Sequence, residues 1–206
     1  MIDPALAELA AAIRNCRICR DAPLGAPLPH EPRPILWESS SARVMIASQA
    51  PGNRAHQSGI PFDDPSGVRL REWLGVTREE FYHPHNFIIA PMGMCFPGYD
   101  AAGSDIPPRR ECAPTWRKSL LSLMPQVDLV LLIGQYAQNW HLGRRGGMSL
   151  TATVEGWRSI YGRNEGARMI PLPHPSWRNT GWLKKHPWFE KELLPVLQRE
   201  IRARIF

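Results

Sequence analysis

The sequence has no apolar stretch that approaches the length of a membrane-spanning helix, which argues against such a helix. Its first residues have neither a basic start nor an apolar run, so we expect no secretory signal and a cytoplasmic protein. No Gly-x-Gly-x-x-Gly pattern follows a predicted strand, which argues against a dinucleotide-binding corner. Cysteine is scarce, with four residues in the chain, and structural disulfides are rare in the cytoplasm.

The composition fits one α/β domain with no membrane partner. The chain has 206 residues, of which 43% are hydrophobic, and this is enough for a sizeable core. We find no internal repeat and no domain break, so we predict one domain over residues 1–206, with residues 1–42 as an N-terminal helix and arm. We expect a monomer. Lys and Arg number 25 against 19 Asp and Glu, and the net charge of +6 suggests a polyanionic partner without requiring one.

Apolar segments predict the strands of a sheet. They lie at residues 43–48, 86–91, 127–133 and 168–172. Helical patterns separate them: Ser66 is the predicted cap of one helix, residues 150–158 suggest another, and Pro187 opens the last. Alternating strands and helices predict a three-layer αβα fold around a mainly parallel, four-stranded sheet.

Two of these strands run into polar corners. The first is followed by Ala-Ser-Gln-Ala-Pro-Gly at residues 47–52 and by Gly-Ile-Pro-Phe-Asp-Asp-Pro-Ser-Gly at residues 59–67. The fourth runs into Pro-His-Pro-Ser at residues 173–176. In open α/β sheets, ligands bind at the carboxyl ends of the strands. The first loop is longer than a simple connection needs, which favours a functional loop over a plain one.

The cysteines form a second pattern. Two lie in a C-x2-C pair near the start of the chain, one follows the second predicted strand, and one precedes the next helix. This arrangement predicts a tetrathiolate site for zinc or an iron–sulfur cluster. The alternative is a set of unrelated buried cysteines. The four residues are Cys16, Cys19, Cys95 and Cys112.

The two corners together resemble the active-site motifs of the uracil-DNA glycosylase superfamily, which has a Gly-Gln/Glu-x-Pro corner early in the chain and His-Pro-Ser late. The Gly-x-Pro-Phe and Ser-Gly continuation resembles the iron–sulfur branch, usually called family 4. The resemblance spans about residues 10–200. It implies a DNA repair glycosylase that hydrolyses the N-glycosidic bond of uracil or a related deaminated base in DNA and leaves an abasic site. A related branch forms a covalent adduct through a histidine near the cluster loop; residues 96–111 contain no histidine, so we expect a monofunctional enzyme.

The resemblance also implies the metal group. In the iron–sulfur branch, cysteines at these four positions hold a [4Fe-4S] cluster. Such a cluster would fasten the loop between Cys95 and Cys112 to the N-terminal arm. It would thereby present Arg109 and Arg110 to DNA phosphates.

Further residues take roles from the family motifs. A glycosylase extrudes its nucleotide before it reaches the glycosidic bond. Phe62 matches the aromatic residue that stacks on the flipped base, and the corner formed by Ala50, Pro51 and Gly52 adjoins it. His174 matches the histidine that donates to the base's carbonyl oxygen as negative charge grows there.

The residues after His174 match the segment that holds DNA. Ser176 is suited to bond a phosphate, and Trp177 and Arg178 follow where the family pushes side chains into the duplex. Lys184 and Lys185 continue this basic stretch.

Two positions depart from the iron–sulfur branch. Gln49 stands where a glutamate usually positions water; glutamine orients water but cannot take its proton. Asp63 or Asp64 is therefore a candidate for the catalytic carboxylate, with helix capping as the equal alternative. Pro91 stands where an asparagine commonly reads the uracil edge.

Because of the second departure, we expect backbone groups to recognise the base in place of an asparagine side chain. These are the groups around Met92 and Gly93. Both departures also keep a second class of function open. That alternative is a non-catalytic DNA-binding protein on the same scaffold, which recognises damaged bases or abasic sites.

Overall fold

The computed structural model describes residues 3–143, 148–163 and 166–205. Its strands form one parallel sheet in the order β2-β1-β3-β4, with Val44 paired to Phe87 on one side and to Leu129 on the other. The bounds are Val44–Ala47 (β1), Phe87–Ile89 (β2), Leu129–Ile133 (β3) and Arg168–Leu172 (β4). The predicted four-stranded parallel sheet is confirmed.

Helices connect the strands, and most of them are short. Before and after β1 they are Pro4–Arg14 (α1), Ile18–Asp21 (α2), Asn53–Ser58 (α3), Pro65–Leu74 (α4) and Arg78–Phe81 (α5). Between β2 and β4 they are Cys112–Ser122 (α6), Gln135–His141 (α7), Leu150–Glu155 (α8) and Trp157–Tyr161 (α9). After β4 they are Thr180–Lys185 (α10) and Leu194–Ile205 (α11).

The sheet separates two hydrophobic clusters, because successive strand residues point to opposite faces. Ile46 and Leu131 pack into the cluster that α4, α9 and α11 cover. Met45 and Leu132 pack into the cluster that α1 and α6 cover. All five residues of β3 are buried, as expected for a strand with helices on both sides. The three-layer αβα prediction is therefore confirmed.

Three local predictions need correction. Asp64, and not Ser66, caps α4, because Pro65 occupies the first helical position and makes Asp64 the preceding residue. Residues 150–158 form parts of two helices, which meet at Gly156. The last helix is preceded by a π-helical turn at Phe189–Leu193 and does not run unbroken from Pro187. None of the helices in the described ranges is long and apolar enough to cross a membrane.

Candidate active site

A cavity opens at the carboxyl end of the sheet and contains about 530 Å³ of space free of atoms. Its wall comes from the corner after β1, the residues at the end of β2 and the corner after β4. The two polar corners of the sequence therefore meet here, as the strand pattern predicts. The polar lining residues are Ser48, Asp64, Ser66, Asp105 and His174.

His174 follows β4 and is held by the chain on both sides. Pro173 and Pro175 restrict the neighbouring backbone, and the Asn179 amide donates to the His174 carbonyl oxygen over 2.7 Å. Burial lowers the pKa of His174, and the nearby charge of Asp64 opposes this effect. The imidazole is therefore neutral at neutral pH, and a neutral imidazole still has one N–H to donate to a ligand.

Phe62 lies on the cavity wall in a backbone conformation that is rare for a residue with a side chain, with φ of 57°. The Tyr82 hydroxyl holds the preceding residue by donating to the Pro61 carbonyl over 2.9 Å. The Phe62 carbonyl lies 1.8 Å from where a Cβ on Gly67 would be, so only glycine permits this approach. Gly67 thus explains why this loop needs its Ser-Gly pair.

The side chains of the neighbouring residues Asp63 and Asp64 lie in different places. Asp64 lines the cavity and also caps α4, since its Oδ1 accepts from the Gly67 N–H at 2.9 Å and from the Ser66 hydroxyl at 2.5 Å. Asp63 turns to an adjacent surface groove and forms an ion pair with Arg78 at 3.2 Å. Of the two aspartates, the geometry favours Asp64 as the carboxylate of the cavity, because Asp63 does not line it.

Gln49, Met92 and Gly93 are not among the described residues that line the cavity. The Met92 N–H donates to the Ser48 carbonyl at 2.8 Å, and the Gly93 N–H donates to the Gln49 carbonyl at 2.9 Å. These backbone donors are already paired within the protein, so they are not available to read a base. Of this segment, Pro91 contributes to the wall.

Asp105 is a cavity residue that the sequence did not suggest. It lies in the Gly/Pro-rich loop before α6, and its Oδ2 is 3.8 Å from the position of a Cβ on Gly52. Asp105 is exposed at the rim of the cavity. The pKa of its carboxyl group is nevertheless raised, chiefly because the group loses hydration. The charge of Asp64 raises this pKa further, whereas the charge of Arg178 lowers it. A single acid in an irregular loop has no periodicity or spacing that would single it out.

The segment after His174 forms an exposed edge beside the cavity. Ser176 precedes a 3₁₀ turn at Trp177–Asn179, and the Arg69 guanidinium donates to the Ser176 carbonyl at 2.8 Å. Trp177 is 73% exposed, and the Arg178 guanidinium lies 6.0 Å from its ring centre. An exposed tryptophan with a cation beside it is suited to nucleic acid. Lys184 and Lys185, on the following helix, are exposed too.

The two arginines of the cluster loop differ. Arg110 is exposed, as predicted for a phosphate contact. The Arg109 side chain is only 13% exposed and forms an ion pair with Glu111 at 3.1 Å. Arg109 also lies near Cys19: burial raises the pKa of that thiol, Glu111 raises it further, and Arg109 lowers it. The structure therefore does not present Arg109 to a phosphate.

The four cysteines line a second cavity, which contains about 340 Å³ of space free of atoms. All four are free thiols, and burial raises the pKa of Cys95 and of Cys112 to about 12. In the described part of the chain, no three His, Cys, Asp or Glu side chains are grouped closely enough to hold a metal ion.

The fold and the cavity define an α/β protein with a pocket at the carboxyl edge of its sheet. Residues 37–198 match the family model of the Uracil DNA glycosylase superfamily, and this match covers more than half of the 206-residue chain. The chain belongs to this superfamily. The matched region begins after Cys16 and Cys19, so the match does not address the iron–sulfur branch.

The contact between Phe62 and Gly67 gives a direct test of the loop. We expect Gly67→Ala to lower the free energy of unfolding by about 1–3 kcal/mol, the usual cost of overpacking, because the new Cβ must displace the Phe62 backbone. Urea denaturation measures this change. Gly181→Ala is the control, since no atom lies within 4 Å of its Cβ position. Equal stability of the two variants would mean that the Phe62 backbone moves away from the new Cβ at no cost in folding free energy.

Proposed function

We propose that this protein is a monofunctional DNA glycosylase that hydrolyses the N-glycosidic bond of uracil or a related deaminated base in DNA. Membership of the superfamily supports a glycosylase-type function. The observation that carries the proposal further is the meeting of His174, Asp64 and Phe62 in one cavity. These side chains supply a hydrogen-bond donor, an anion and a flat apolar face. A flipped base bound to its sugar needs all three.

In this proposal, His174 acts on the leaving base. As the bond between C1′ and the base nitrogen breaks, its electron pair moves onto the base and negative charge grows on a carbonyl oxygen. A neutral imidazole that is already oriented toward that oxygen stabilises this charge without having to ionise. Donors fixed in this way are worth more in the transition state than in the bound substrate.

Two carboxylates then act in this proposal, one on the charge of the sugar and one on the proton of the water. Asp64 is fixed by its hydrogen bonds to Gly67 and Ser66, so it supports the positive charge that develops on the sugar ring. Water adds its oxygen to C1′ and gives a proton to Asp105, whose raised pKa makes it the better acceptor. The product is an abasic sugar and the free base.

His174→Ala tests this mechanism. We expect the single-turnover rate of base release to fall by about two to three orders of magnitude, the range seen when one such donor is lost. Affinity for abasic DNA changes much less, because Ser176, Trp177 and Arg178 still contact the strand. Labelled duplexes that carry uracil, hypoxanthine or xanthine provide the assay.

Aspartate variants refine the same experiment. Asp64→Asn and Asp105→Asn lower the rate, whereas Asp63→Asn is a matched control outside the cavity and leaves it unchanged. Near-normal base release by folded His174→Ala protein contradicts the role of the histidine. Tight binding of the wild type to damaged DNA, with no base released from any substrate, identifies the non-catalytic alternative, which Gln49 and Pro91 favour.

DNA binding depends on phosphate contacts, so its salt dependence distinguishes the two loop arginines. We expect Arg110→Ala to reduce the slope of log affinity against log salt by about 0.9, the value for one duplex phosphate contact. Arg109→Ala is the matched control, and the slope stays unchanged because that side chain is paired with Glu111. A loss of slope in Arg109→Ala alone contradicts the assignment.

We also propose that Cys16, Cys19, Cys95 and Cys112 hold a [4Fe-4S] cluster. The cavity that all four cysteines line supports it. The cluster would act as a fastener, joining the N-terminal arm to the loop that carries Asp105 and Arg110. It need perform no redox step.

Anaerobically purified protein is expected to contain iron and acid-labile sulfide and to absorb broadly at about 400 nm, as thiolate-bound clusters do. Cys16→Ser loses these signals. One zinc ion per chain without iron contradicts the cluster.

A further inference from the structure

Ser48 is a buried polar residue of the cavity at the carboxyl end of the sheet, with 5% of its surface exposed. Its hydroxyl forms no hydrogen bond within residues 3–143, 148–163 and 166–205, whereas its carbonyl is fixed by the Met92 N–H at 2.8 Å. Polar side chains this deep in a protein usually have a partner. The partner of the Ser48 hydroxyl is therefore expected in the cavity, as water or as a ligand.

The other polar residues of the cavity wall are of two kinds. Asp64 and Ser66 bind each other, since the Ser66 hydroxyl donates to Asp64 Oδ1 at 2.5 Å. The His174 imidazole and the Asp105 carboxylate resemble the Ser48 hydroxyl, because neither forms a hydrogen bond with any other described residue. The wall thus offers a ligand an imidazole, a carboxylate and a hydroxyl, and the proposed mechanism leaves the hydroxyl without a role.

The alternation of strand side chains explains why Ser48 reaches the cavity. Ile46 packs on one face of the sheet, and Ser48, two residues later, continues that face. Ala47 packs on the opposite face, and Gln49 continues it. In agreement, Ser48 lines the cavity and Gln49 is not among the described residues that do. The corner after β1 therefore presents its serine, and not its glutamine, to a bound ligand.

His174 enters the same cavity from a different strand. It lies two residues after Leu172, which packs in the same hydrophobic cluster as Ile46. Because β3 lies between β1 and β4, the strands that lead to Ser48 and His174 are two strand spacings apart, which is about 10 Å. A flat base between the two corners can therefore meet Ser48 at one edge and His174 at another.

We propose that the Ser48 hydroxyl, in place of the Gln49 side chain, is the hydrogen-bonding group of the corner after β1 that recognises the base. The inference rests on the proposed glycosylase function and names what the site recognises. Uracil, hypoxanthine and xanthine share a ring N–H beside a carbonyl group. A hydroxyl has one donor and two lone pairs, so Ser48 accepts from this N–H and donates to this carbonyl.

The test is Ser48→Ala, which removes only the hydroxyl. Ser48→Cys is a second variant that keeps the side-chain shape with a weaker donor. Ser119→Ala is the matched control, because it makes the same chemical change at an exposed position on α6. Gln49→Ala provides the comparison within the corner. Equilibrium dialysis with labelled uracil and hypoxanthine measures binding of the free base, and a duplex with an abasic site measures binding of DNA without the base.

We expect Ser48→Ala to bind the free base about fivefold more weakly than wild type, the factor that corresponds to about 1 kcal/mol for one hydrogen bond. Affinity for the abasic duplex stays unchanged, because this ligand has no base. In base release, KM rises and kcat changes little, since the hydrogen bond is present both before and during bond breaking. Ser48→Cys behaves like Ser48→Ala, Ser119→Ala behaves like wild type, and Gln49→Ala weakens base binding less than Ser48→Ala.

Several results overturn the inference. Unchanged base affinity in folded Ser48→Ala shows that this position needs only a small residue, and Ser48→Cys gives the same comparison where Ser48→Ala does not fold. Equal losses of affinity for the base and for the abasic duplex show a displaced corner. A larger loss in Gln49→Ala than in Ser48→Ala assigns recognition to the glutamine.

Failure of the proposed function gives a different result. Wild-type protein that binds the free base through Ser48 but releases none from DNA contradicts the glycosylase and leaves the inference standing. Wild-type protein that releases base, with the same KM in Ser48→Ala, overturns the inference alone. Wild-type protein that neither binds nor releases a base overturns both.

Discussion

The hydrogen bonds of the segment after β2 constrain both cavities of this molecule. On one side, the Met92 and Gly93 N–H groups donate to the carbonyls of Ser48 and Gln49, which fixes the corner after β1. On the other side, the Met94 N–H reaches the Cys112 sulfur. A displacement of this segment would therefore alter both the wall of the cavity that His174 lines and the spacing of the thiols. The two sites share a wall and are not independent.

The parallel sheet supplies the rigid reference for that wall. β1 and β3 are buried on both faces, so the corners that follow the strands begin from positions that packing fixes within tight limits. His174 and Asp64 come from corners more than a hundred residues apart in sequence, yet each is adjacent to a packed element. In the proposed mechanism, preorganisation of this kind would let a neutral histidine and a capped aspartate act without moving far.

Much of the architecture was predictable because it depends on local apolar patterns. The four strands, the αβα layers and the meeting of the two corners follow from buried runs and strand polarity. The positions and partners of individual side chains were not predictable. Asp63 and Asp64 are neighbours with the same chemistry, and only the position of Arg78 and the start of α4 separate them. Asp105 reaches the cavity through a long-range approach to Gly52, which no spacing in the sequence encodes.

Asp64 also couples two properties that are usually adjusted separately. Its carboxylate accepts the Gly67 N–H at the start of α4 and at the same time borders the cavity at the carboxyl end of the sheet. Any residue here that cannot accept this N–H frays a core helix, and any residue without a charge changes the field inside the cavity. A substitution at this position therefore separates the two properties: asparagine, serine or threonine can still accept the N–H but removes the anion.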